Sequence, residues 1–73
     1  MILPNKYVEE KNTLLYVGAL ILDVLNTQYA ISELWNQFRD NPSVGTYERF
    51  ILALDMLFIF GLIELKENKI KKV

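Results

Sequence analysis

The stretch "RFILALDMLFIFGLIEL", Arg49–Leu65, decides the fold, because after Arg49 only Asp55 and Glu64 carry charge in a long apolar run. A membrane span, a core helix running into a strand, or a helix with a docking face would each use such surface. A span needs roughly 20 mostly apolar residues, and a charged Asp at the bilayer centre costs about 2.5–3.5 kcal/mol on insertion scales. Asp55 near the middle and Gly61 before Glu64 argue against spanning. The spacing instead predicts a helix from Tyr47, capped by Thr46 and stopped at Gly61, where a left-handed residue closes a helix end.

On a wheel of 3.6 residues per turn, Tyr47, Phe50, Ile51, Leu54, Leu57 and Phe58 form the core stripe of that helix. Leu52, Met56, Ile59 and Phe60 are left over, beside Glu48, Arg49 and Asp55. They need a second cover. DNA-reading helices present basic and amide side chains to base edges, whereas this side offers carboxylates, aliphatic groups and Arg49 as its lone cation. The residues favour a protein-docking face.

Downstream, "LIELKENKIKKV" predicts a β-hairpin turning at Glu67-Asn68, with Leu65 opposite Ile70 and Glu64 opposite Lys71. Upstream, "AISELWNQFRD" predicts a short helix with Ser32 as N-cap, Glu33 in the first turn, and Leu34, Trp35 and Phe38 on one face. Pro42 and Gly45 supply the turn that follows. A first helix is expected over residues 14–25, capped by Asn12 or Thr13, with Leu14, Val17, Gly18, Ile21, Val24 and Leu25 as its core stripe. Leu15, Ala19 and Leu22 make a second stripe beside it. Residues 1–12 read as an extended N-terminal arm, since Pro4 and a mixed charge cluster interrupt any helical period.

The expected architecture is one small domain over residues 1–73, mainly α with a small C-terminal β-hairpin. Three helices followed by a hairpin is the order of a winged helix-turn-helix, with residues 62–73 as the wing; a three-helix bundle with a frayed tail is the alternative. A chain of 73 residues buries only about 60% of the surface its unfolded form exposes. Small domains usually add disulfides, a metal or a partner. With no cysteine and no histidine, the first two supports are unavailable in their usual forms and a partner is expected.

The same absence excludes a thiolate nucleophile, an imidazole base and the usual zinc ligand sets. Ser32 lacks a base to activate it, and the isolated Gly18, Gly45 and Gly61 form no phosphate-cradling loop. No catalytic residue, metal site or cofactor is expected. The net charge of −1 gives the chain no overall attraction for nucleic acid. Lys66, Lys69, Lys71 and Lys72 are nevertheless a local basic patch on the wing, readable as a phosphate contact or as a lysine-rich edge that discourages aggregation. The opening "MILPNKYVEEKN" places charges where the apolar core of a signal peptide would begin, so a cytoplasmic location is expected.

Leu3-Pro4 with Lys6, the triplet Glu33-Leu34-Trp35, and Phe50 through Asp55 followed by Gly61-Leu62-Ile63 together resemble the sixth middle-component family of bacterial ABC three-component systems. The resemblance spans nearly the whole chain and implies a non-catalytic adaptor in a prokaryotic conflict or antiphage module. Its implied partners are a larger ABC ATPase related to SMC and Rad50 proteins and an effector or sensor subunit. Leu15, Ala19, Leu22, Leu52, Met56 and Ile59 are the expected protein interface, which a second copy of the chain would also fit. A DNA-binding accessory acting through the lysine wing is the alternative, and any DNA contact is expected to run through the complex.

Overall fold

The computed structural model describes the backbone of residues 6–73 and the side chains of residues 14–73. The order of elements is α1 (Lys6–Val24), β1 (Tyr29–Ala30), α2 (Ile31–Phe38), α3 (Tyr47–Ile59), β2 (Ile63–Lys66) and β3 (Lys69–Lys72). The fold is three helices with a small antiparallel sheet of strand order β1-β3-β2.

The first helix begins earlier than its apolar pattern. Residues 6–12 are helical, which corrects the extended arm over that stretch; residues 1–5 lie outside the described part. Lys and Glu are strong helix formers, so a run without an apolar stripe still extends a helix already nucleated by the stripe behind it. Asn12 and Thr13 are accordingly interior positions and not caps.

The second helix is capped differently from expectation. Its N-cap is Ala30, whose backbone N–H donates to Glu33 Oε1 at 2.9 Å. Ser32 lies inside the first turn. Glu33 performs the back-reaching half of a capping box without the usual Ser or Thr partner.

The third helix follows its sequence signals closely. Thr46 Oγ1 accepts from the Arg49 N–H at 3.2 Å. At the other end Gly61 has φ of +74°, its N–H donates to the Phe58 carbonyl at 3.0 Å, and the Leu62 N–H donates to the Leu57 carbonyl at 2.9 Å. This pair of bonds is a Schellman motif, which satisfies the last carbonyls and turns the chain into β2.

The hairpin also has the expected register, with Leu65 opposite Ile70 and Glu64 opposite Lys71. Glu67 and Asn68 both take positive φ, +53° and +65°, as a type I′ turn requires. Tyr29 and Ala30, outside the predicted strands, pair with Ile70 and Lys69 as a third strand. Two residues are too few for a visible alternation. The bare bundle with a frayed tail is thereby ruled out, because the tail forms two of the sheet's three strands.

The core joins all these elements. Val17, Ile21, Leu25, Leu34, Phe38, Val44, Phe50, Ala53, Leu54, Leu57, Ile63 and Ile70 are buried in one cluster. Trp35 meets Tyr47 edge-on at 5.2 Å between ring centroids and Phe50 at 5.3 Å. Two departures from the predicted stripes stand out: Tyr47 is exposed on its outer side, and Ala53 is fully buried. Val44, in the loop before α3, is buried as well, held by its N–H bond to the Asn41 carbonyl at 3.1 Å. Gly18 marks the close approach of α1 to α3, since a Cβ there would lie 2.8 Å from Met56 Cε and 3.3 Å from Leu57 Cδ2.

Candidate docking surface

That close approach leaves a trough along the outer seam of α1 and α3. Leu14 and Leu15 from α1 share one apolar recess with Met56 and Phe60 from α3. Leu14 also borders a second recess with Thr46, Glu48, Arg49 and Leu52, and Leu52 continues into a third with Tyr47, Glu48 and Ile51. The recesses thus lie side by side, with Leu14 bordering the first two and Leu52 the last two. The first and third are apolar, while the second is about half polar through Thr46, Glu48 and Arg49.

Of the six expected interface residues, Leu15, Leu52 and Met56 line this trough. Leu15 and Leu52 are more than half exposed, whereas Met56 is half-buried because its tip packs against the Gly18 backbone. Ile59 is the most exposed of the set at 81% but borders none of the three recesses. Ala19 is exposed, and Leu22 is half-buried against the core cluster. Leu14, on the predicted core stripe, is half-buried against the core cluster and also lines two of the recesses.

The lysines are divided by the sheet. In an antiparallel pair, residues directly opposite share a face, so Lys66, Lys69 and Lys71 stand on one face with Glu64. Lys72 lies on the other, opposite buried Ile63. Lys71 Nζ sits 3.2 Å from Glu64 Oε1, an exposed pair. The expected patch of four is therefore three lysines with one carboxylate among them.

Among the described residues no group of three or more His, Cys, Asp or Glu is placed to hold a metal ion, and no helix is long and apolar enough to cross a membrane. Exposed apolar side chains, Leu15, Leu52, Ile59 and Phe60 among them, stand out instead. A family model for the Middle Component 6 of ABC-three component (ABC-3C) systems matches residues 3–73. The chain belongs to this family. No curated protein and no solved structure matches it. A middle component of a three-component system has partner subunits, and the described residues of this Middle Component 6 protein leave the trough open.

Proposed function

We propose that this protein is a non-catalytic adaptor that docks through the α1–α3 trough on an SMC/Rad50-like ABC ATPase in the cytoplasm and couples it to an effector in an antiphage system. The observation that carries this reading is the exposure of Leu15, Leu52, Ile59 and Phe60 on two adjacent helices of a protein from a multi-subunit system. Large apolar side chains concentrated on one side of a small domain favour association over solvation. Leu15, Leu52 and Met56 form the centre of the interface, with Ala19, Leu22 and Ile59 towards its margin. The order α1-β1-α2-α3-β2-β3 supports a winged-helix reading, in which the outer side of α3, used for bases by DNA-binding domains of that fold, carries docking residues instead.

The test is to isolate the tagged chain gently from cells carrying its native gene neighbourhood and to identify what co-purifies stoichiometrically. An ABC-type ATPase retained by the wild type and lost with Leu15→Asp or Leu52→Glu supports the reading. Retention of the ATPase by both variants, or a chain purified without it, overturns it.

A second reading, a DNA-binding accessory, is favoured by Lys66, Lys69 and Lys71 sharing one sheet face. It requires binding that weakens with salt and with neutralisation of Lys66, Lys69 and Lys71. Indifference to both changes dismisses it.

A further inference from the structure

The unclaimed feature of the sheet is its β2 edge. The Val73 N–H donates to the Leu62 carbonyl at 3.1 Å, which makes Leu62 and Val73 a hydrogen-bonded pair. Bonded and non-bonded pairs alternate in an antiparallel ladder, so Glu64 and Lys66 bond to β3 while Ile63 and Leu65 direct their N–H and C=O groups away from it. Among the described residues that side of β2 has no neighbouring strand. Leu65 is 53% exposed and Glu64 and Lys66 are exposed beside it. An edge of this kind is a template for another strand.

We propose that the edge pairs with the same edge of a second copy, antiparallel about a two-fold axis through Leu65. The charges select both the occupant and the register. With Leu65 opposite Leu65 of the second copy, Glu64 faces Lys66 of the second copy and Lys66 faces its Glu64. Slipping the pairing by two residues, the smallest step that keeps the outward groups in phase, sets Glu64 against Glu64 one way or Lys66 against Lys66 the other. The sequence Glu64-Leu65-Lys66 is self-complementary in one register and self-repelling in the adjacent ones.

The isolated chain also holds an electrostatic conflict that this pairing relieves. Lys66 and Lys69 are directly opposite in the hairpin, a like-charge arrangement that destabilises a strand pair. Among the described residues the ion pair formed on this face is Lys71 with Glu64 Oε1, and Glu64 Oε2 remains able to accept another donor. In the dimer that carboxylate bridges Lys71 of its own chain and Lys66 of the second copy, and Lys66 gains an anion beside Lys69. The contact is small, which places it among weak, concentration-dependent associations.

Sedimentation of the full chain over a range reaching millimolar concentration tests the proposal, with circular dichroism confirming that each variant stays folded. Reversible dimerisation is expected for the wild type. Glu64→Lys alone or Lys66→Glu alone should weaken it roughly tenfold, because two attractive cross-strand pairs per dimer become repulsive, and the double variant Glu64→Lys/Lys66→Glu should restore it, since the swapped charges again face one another. Leu52→Glu should leave it unchanged, separating this edge from the α1–α3 trough. A chain that stays monomeric at every concentration overturns the proposal, as does a dimer indifferent to the single reversals or not rescued by the double one.

Discussion

The two sides of α3 are built from the same kinds of residue and have opposite fates. Phe50, Ala53, Leu54 and Leu57 are buried against α1, α2 and the sheet, while Leu52, Ile59 and Phe60 on the other side are mostly exposed. Hydrophobicity alone therefore does not separate core from interface in this chain. What separates them is whether another element of the same small fold reaches that side, and among the described residues none covers the outer one.

The sharpest way to break the comparison is to remove the inner side. Phe50 is fully buried at the centre of the aromatic cluster with Trp35, Phe38 and Tyr47, so Phe50→Ala should cost about 3–5 kcal/mol, enough to abolish a cooperative denaturation transition in a domain of this size. Gly18→Val tests the seam between the sides. The added branches meet the Met56 tip and Leu57, and chemical denaturation should show a loss of about 1–3 kcal/mol from overpacking.

A smaller effect of opposite sign is expected at the hairpin. Glu67 and Asn68 occupy left-handed backbone, which is unfavourable for a non-glycine residue, so Glu67→Asn with Asn68→Gly should raise stability by about 1 kcal/mol, read as a higher denaturation midpoint. The outer side of α3 should show the least. Leu52→Glu should shift stability by no more than about 0.5 kcal/mol while removing partner capture; a large loss of stability there would erase the distinction between the two sides.

Local signals were legible wherever a residue acts on its own neighbours. Thr46 caps α3, Gly61 ends it, and the charge and apolar pairs of the hairpin set its register, all through contacts a few residues apart in the chain. Signals failed where a remote element decided the outcome. Ser32 is a good cap by type, yet pairing of Tyr29 and Ala30 with β3 starts α2 two residues earlier and gives the capping role to Glu33.

The candidate surface divides in the same way. Periodicity singled out Leu15 and Leu52 as surplus to one core stripe, and both are exposed. It also singled out Leu22 and Met56, which the tight approach at Gly18 and the neighbouring core draw half inside. Four lysines close in sequence become three and one because a strand sends alternate residues to opposite faces.

Residue order alone was thus sufficient for the presence of the three helices, the caps of α3, the hairpin register and the surplus of apolar surface, since each depends on short-range geometry. The third strand, the burial of Val44 and Ala53, and the joining of Leu14 and Leu15 to Met56 and Phe60 in one trough were decided by packing. These depend on which distant segments meet, and that follows from the closure of the whole core.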